Sequence, residues 1–187
     1  LLGGNDAVAA VVAELDDGDL VVMSSHGGAE HPAASHGWRL AQAWRHPVLL
    51  VGPNVEPGRP QGGVVLGLDG SPLAEQALAA AATLAAALGV RLWLLQAVGQ
   101  AALKQVESLR ERGEPVSASA YLRGAADGLA AAGRDVGWAL VHSEDPITAL
   151  ATFAHDRQAA AFVLCTHGQS GLRAEVFGST VLGVVAE

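Results

Sequence analysis

The chain has 187 residues, half of them hydrophobic and 16% charged, with a formal net charge of −8 at pH 7. That length buries a real core in one large or two small domains, and the composition excludes a disordered chain. The acidic balance argues against a nucleic-acid-binding surface, and the single lysine, Lys104, sits in Ala-Leu-Lys-Gln rather than in a Gly-rich phosphate loop, which excludes a P-loop nucleotidase.

In chain order, Asp6 is expected to cap a helix formed by the apolar residues after it. Residues 20–27, Leu-Val-Val-Met-Ser-Ser-His-Gly, read as a buried parallel strand running into a small polar loop. Residues 46–53 read as a strand between turn residues, and 54–63 have the Gly/Pro composition of a linker. Residues 64–69 form the next strand. Ser71 then caps, and Pro72 opens, a helix running to Leu88 that Gly89 closes. A strand is expected over 91–98, a charged helix over 101–112, a second helix over 121–132 ahead of Gly133, and a strand over 135–142. Asp145 caps and Pro146 opens a helix over 146–157, a strand follows over 160–165, and 178–186 begin another helix. Strands alternating with helices predict a parallel α/β sheet. The lone cysteine, Cys165, excludes an internal disulfide and a cysteine-based zinc cluster and fits a reducing compartment. No apolar run is long enough to span a bilayer, and no secretory leader is read at the N-terminus.

The chain repeats itself. Ser24-Ser-His-Gly27 is followed by nine residues and Gly37-Trp38; Cys165-Thr-His-Gly168 is followed by nine residues and Gly178-Ser179. Each copy follows an apolar strand and a capped helix. The first copy lacks the family of earlier strands that the second has, and the chain stops inside a helix, so one stretch of a longer tandem protein is expected. The spacing has a chemical logic. Small residues at a strand end let a ligand approach the backbone. A second glycine then opens a helix whose free N–H groups attract phosphate, here Gly178, Ser179 and Thr180, whose hydroxyls add donors. In a doubly wound sheet ligands sit where the strand order reverses, which sets Asp69 in one crevice with His167 and Gly168.

These residues resemble the universal stress protein family, with its G-x2-G-x9-G-[S/T] loop; Leu68-Asp69-Gly70-Ser71 resembles the family's first loop. The resemblance implies a Rossmann-like, doubly wound, five-stranded parallel sheet in two tandem copies. Residues 1–55 would be the C-terminal portion of the first domain, 56–63 a linker, and 64–187 a second domain short of its last strand. It implies a cytoplasmic stress-response regulator that binds ATP, with Mg²⁺, in the second domain. Asp69 would meet the adenine or ribose, with Gly67 and Leu68 lining that wall and Ala97 against the base. Leu164, Cys165, His167 and Gly168 would line the ribose and phosphate side, and Gly178, Ser179, Thr180 and Val181 would hold the phosphates. The first glycine of the family's loop is Cys165 here. In the first copy a Trp, Trp38, replaces the phosphate-gripping hydroxyl, so that copy reads as degenerate and structural. The tandem halves are expected to pair as a pseudo-dimer through edge strands, 46–53 among them, and the chain to form a homodimer.

Plainer readings stand beside these. Asp69 braces the turn before Ser71. His167 is a loop residue without a ligand, and Cys165 a small strand-end residue. His26, His31 and His36 recur at a spacing that fits neither a helix nor a strand face, so they read as loop residues rather than metal ligands. Trp93 and Trp138 read as core or interface residues. No Gly-x-Ser-x-Gly elbow and no general base with an orienting partner is found, so ATP hydrolysis is at most slow and incidental. The rival to nucleotide binding is an interaction module of the same fold without nucleotide affinity. A nucleotidyl-transfer enzyme lacks its catalytic residues.

Overall fold

The computed structural model describes residues 4–16, 19–24, 36–43, 47–52, 61–99 and 118–165. They fall into two compact units, one within Leu1–Gly58 and the other within Arg59–Val184.

In the first unit, helix α1 (Gly4–Ala13) precedes strand β1 (Val21–Ser24), and helix α2 (His36–Ala43) precedes strand β2 (Val48–Val51). The two strands pair in parallel, from Val21 opposite Val48 to Ser24 opposite Val51. Val8 on α1 and Leu40 on α2 are buried, whereas Leu20 and Val22 are more than half exposed. Because α1 begins at Gly4, Asp6 lies inside the first turn and not ahead of it, where a cap would stand.

The second unit opens with strand β3 (Val64–Gly67), then helices α3 (Pro72–Glu75) and α4 (Ala77–Leu88), and strand β4 (Leu92–Val98). Helix α5 (Ala118–Ala131), strand β5 (Val136–His142), helix α6 (Pro146–Asp156) and strand β6 (Ala161–Val163) follow. All pairings are parallel, in the order β5-β4-β3-β6. Among the described residues the sheet therefore has four strands, where a complete domain of the expected type has five. The helix expected over 101–112, and the one opening at 178, lie outside the described residues.

Strand alternation sorts the core into two layers. Val64, Leu66, Leu68, Leu92 and Leu94 face Ala74, Ala81, Ala82 and Ala85 of α3 and α4, and Leu122 and Ala126 of α5. Val65 and Leu95 face Leu150 and Phe153 of α6. Val64, Val65 and Leu66 are wholly buried, as a parallel strand covered on both faces requires. The small side chains of α4 let that helix lie close to the sheet.

The caps follow the sequence. Ser71 Oγ accepts from the Ala74 amide (3.0 Å), with Pro72 at the first helical position. Asp145 Oδ1 accepts from the amides of Ile147 and Thr148, and Oδ2 from the Thr148 hydroxyl (2.7 Å). The Thr148 hydroxyl, ahead of the two amides, holds the Asp145 carboxyl below its ordinary range. The helix expected from Pro72 to Leu88 is interrupted at Gln76, whose amide reaches back three residues to Leu73 O (3.1 Å) and tightens the turn between α3 and α4.

Trp93 holds the edge of the sheet opposite the strands' carboxyl ends. Its ring meets Phe153 edge-on at 6.1 Å, and the Arg157 guanidinium lies over both rings, 4.5 Å from Trp93 and 3.8 Å from Phe153. The register sets Gly137 of β5 beside Trp93, and a Cβ there would stand 2.7 Å from Cζ3 of the indole. Gly137→Ala is therefore expected to destabilise the second unit by about 1–3 kcal/mol through overpacking. Urea unfolding measures this, and a change of less than about 0.5 kcal/mol, the scatter of surface substitutions, would contradict it.

Candidate functional site

The strand order places a switch point between β3 and β6. From β3 the chain builds outward to β4 and β5, then returns through α6 to pair β6 on the other side of β3. Crossovers leaving in opposite directions open a crevice at the carboxyl ends of these two strands. Gly67 through Ser71 leave β3 there, and Leu164 and Cys165 leave β6.

The β3 loop is a tight, self-braced turn. The Ser71 amide donates to Asp69 Oδ1 at 2.9 Å, and Gly70 between them takes a φ of 79°, which a glycine adopts without strain. Ser71 is buried and caps α3, so one residue joins the turn, through its amide, to the helix behind it, through its hydroxyl. The turn-bracing role read from the sequence for Asp69 is present, and it occupies one carboxylate oxygen. The Asp69 side chain stays only partly buried.

The remaining expected residues divide clearly. Leu68 extends the ladder, its amide donating to Leu95 O (2.8 Å), but its side chain is 5% exposed and belongs to the core beneath α4 and α5. It offers a ligand backbone only. Gly67 and Leu164 meet directly: a Cβ at Gly67 would stand 2.6 Å from Leu164 Cδ2. The missing side chain on β3 is what lets Leu164 fold across the strand ends. Ala97, near the end of β4, packs with the layer under α6. Cys165 is partly buried just beyond β6. His167, Gly168, Gly178, Ser179, Thr180 and Val181 lie outside the described residues.

The structure adds groups that the sequence reading missed. Tyr121, in the first turn of α5, packs against the core layer that includes Leu68 and Ala74. Its hydroxyl oxygen is enclosed. Burial pushes this phenol up to about 12, and the Glu75 and Asp69 carboxylates add to the effect. Gln96 on β4 also carries an enclosed side-chain oxygen without a partner. Tyr121 is the only tyrosine of the chain, set in a helix of mostly small residues, and that was the available signal.

Among the described residues no three His, Cys, Asp or Glu side chains gather to hold a metal, and no helix is long and apolar enough to cross a membrane. Of the three histidines at five-residue spacing, His36 is exposed at the start of α2; His26 and His31 lie outside the described residues. Gly37 is buried in the first turn of α2, so the second glycine of the first copy does open a helix.

Comparison with known proteins bears on both units. The universal stress protein family matches residues 63–187. Among solved structures, the universal stress protein UspA from Lactobacillus plantarum is 20% identical, with 69% of this chain and 93% of that chain aligned at a TM-score of 0.55. A universal stress protein from Archaeoglobus fulgidus is 17% identical over 95% of this chain and 62% of that longer chain, with a TM-score of 0.71. A universal stress protein solved in complex with cAMP is 27% identical over 68% of this chain and 90% of that chain, with a TM-score of 0.50. Comparison with curated protein sequences returns no match.

Two outcomes are expected. Ser71→Ala removes the cap but not the Asp69 turn bond, which uses the Ser71 amide, and lowers stability by about 1 kcal/mol in chemical denaturation. The tyrosinate absorbance of the folded protein rises near pH 12, against 10.0 for an ordinary tyrosine. The folded state thus keeps the proton longer, and Tyr121 makes stability fall as pH rises through that interval. A transition near pH 10 in protein shown to be folded would contradict the burial of this hydroxyl.

Proposed function

The chain belongs to the universal stress protein family, and from that premise we propose that its second unit binds an adenine nucleotide, ATP with Mg²⁺, in the crevice between β3 and β6. The observation that carries the reading is the switch point itself, with the braced Asp69 turn on one lip and the Leu164–Cys165 segment on the other. The related protein solved with cAMP supports an adenine nucleotide as the ligand class.

On this reading each group has a task. Asp69 keeps one oxygen on the Ser71 amide and presents the carboxylate to the base or ribose. Gly67 and Leu68 supply backbone at the wall, and Ala97 closes it from β4. Leu164, Cys165, His167 and Gly168 take the ribose and first phosphates. The N–H groups and hydroxyls of Gly178, Ser179, Thr180 and Val181 take the rest, because the start of a helix carries partial positive charge. Mg²⁺ would come with the nucleotide and offset the charge of its phosphates. The product of binding is a change of state and not of substrate: the protein acts as a cytoplasmic stress-response regulator.

The first unit is read as the C-terminal portion of a first, degenerate copy. Its parallel pair β1–β2 with α1 and α2 supports this, as does the solved chain that aligns with nearly all of this one. The tandem copies would pair as a pseudo-dimer, and chains as a homodimer. The alternative is an interaction module without nucleotide affinity. Cys165 favours it, since a thiol stands where the family's loop has a glycine.

Isothermal titration of ATP and Mg²⁺ into nucleotide-stripped protein decides between them. Saturation near one ATP per chain is expected; no heat from folded protein would favour the interaction module. Ser179→Ala is expected to weaken ATP binding by about 2 kcal/mol, the worth of a hydrogen bond to a charged oxygen. Unchanged affinity would remove Ser179 from the site.

A further inference from the structure

We infer that the open edge of strand β5 is a pairing surface for a second copy of this chain, joined antiparallel about Ala139. The inference stands apart from the nucleotide reading and gives the homodimer proposed above a surface.

Strand β5 (Val136–His142) ends the strand order β5-β4-β3-β6, so among the described residues it pairs with β4 alone. Two bonds fix the direction of its backbone groups. The Leu92 amide donates to Asp135 O (2.9 Å), and the Ser143 amide donates to Val98 O (3.1 Å). Between these ends the register runs without a bulge, from Leu92 opposite Val136 to Val98 opposite His142. Gly137, Ala139 and Val141 therefore turn their N–H and C=O groups to β4. Val136, Trp138, Leu140 and His142 turn theirs outward.

Sheet edges are ordinarily guarded by shortness, charge, proline or a bulge. The edge strand on the other side, β6, has three residues. β5 has seven, with no Asp, Glu, Lys, Arg or Pro among them, and it is partly exposed to its end at His142, which is exposed outright. Such an edge is a template for another strand.

The charges that flank β5 select the partner and its direction. Ahead of the strand stands Arg134, which is exposed, while Asp135 is already paired with Arg91 at 2.9 Å. After it stand Glu144 and Asp145, and Asp145 is held below its ordinary range and stays ionised at neutral pH. One end is basic and the other acidic. A parallel neighbour of the same sequence sets like ends together, whereas an antiparallel neighbour related by a two-fold axis sets opposite ends together. Centred on Ala139, the pairing puts Arg134 opposite the partner's Glu144. A slip of two residues either way puts Arg134 against the partner's His142 or the partner's Pro146 and loses the match. In the centred register the outward-turned residues meet one another: Val136 faces the partner's His142, and Trp138 faces the partner's Leu140. Each outward N–H then finds an outward C=O. Trp138 and Leu140 already pack on the layer under α5, with the Arg123 guanidinium 5.8 Å from the Trp138 ring, so the pairing extends that layer across the axis.

Sedimentation velocity over a concentration series measures the oligomeric state of the whole chain, and amide hydrogen exchange followed by NMR reports on the strand. A dimer is expected, in which the amides of Val136, Trp138, Leu140 and His142 slow as concentration rises. Those of Gly137, Ala139 and Val141 are slow at every concentration. Arg134→Glu is expected to weaken the dimer roughly tenfold, because its cross-strand contacts turn from attractive to repulsive. Adding Glu144→Arg to that variant restores the dimer. His142→Pro removes an outward amide at an exposed position, so the ladder to β4 is kept and the dimer is weakened. A dimer that leaves those amides fast and survives His142→Pro uses another surface; it overturns this inference and leaves the homodimer standing. A double exchange that fails to restore the dimer overturns the antiparallel register. A monomer at every concentration overturns the inference and the homodimer together. Outward amides already slow in a monomer show that this chain covers its own edge, which also overturns the inference. None of these outcomes depends on ATP.

Discussion

The pairing of β3 with β4 on one side and β6 on the other is the constraint on which the second unit depends. Parallel neighbours cannot be joined by tight turns, so each pairing needs a crossover and each crossover brings a helix. Helices on both faces bury β3 completely, which explains the unbroken Val64-Val65-Leu66 run. The chain leaves β3 toward β4 and reaches β6, on the other side of β3, only from β5, so the strand order switches beside β3, where a doubly wound sheet opens a crevice at its carboxyl end. The opening that results is a by-product of chain direction, and the residues at its lips inherit their importance from it.

On the proposed reading, Asp69 would serve stability and binding with one side chain. Its bond to the Ser71 amide stiffens the turn, and Ser71 in turn starts the helix that covers the sheet. A carboxylate held this way loses little freedom when it meets a ligand, which lowers the entropic cost of binding. The structural reading and the binding reading of Asp69 are therefore not rivals. Gly67 shows the structural role alone: its missing side chain seats Leu164 on the end of the buried strand.

The edge at the other end of the sheet is closed by a different device. Arg157 lies over Trp93 and Phe153, while Arg91 pairs with Asp135 at 2.9 Å and also faces the Trp93 ring. The Arg91–Asp135 pair is well exposed and adds little stability. The stacked Arg157 and the glycine opposite the indole matter more, because they are matters of shape.

The sequence by itself determined the elements of the second unit: buried runs for strands, Ser71-Pro72 and Asp145-Pro146 for helix starts, Gly89 and Gly133 for helix ends. These signals are local, since capping and left-handed glycines act within one turn. It also marked Asp69, Gly67 and Cys165, through loop chemistry at strand ends. It misplaced the start of α1 and missed the break at Gln76, where nothing in the residue types distinguishes a tightened turn from a continuous helix. The strand order, the assignment of Leu68 to the core, the fit of Trp93 against Gly137 and the enclosure of Tyr121 were decided only in three dimensions. Each depends on residues far apart in the chain coming within contact distance, and hydrophobic periodicity records which face is buried, not what lies against it.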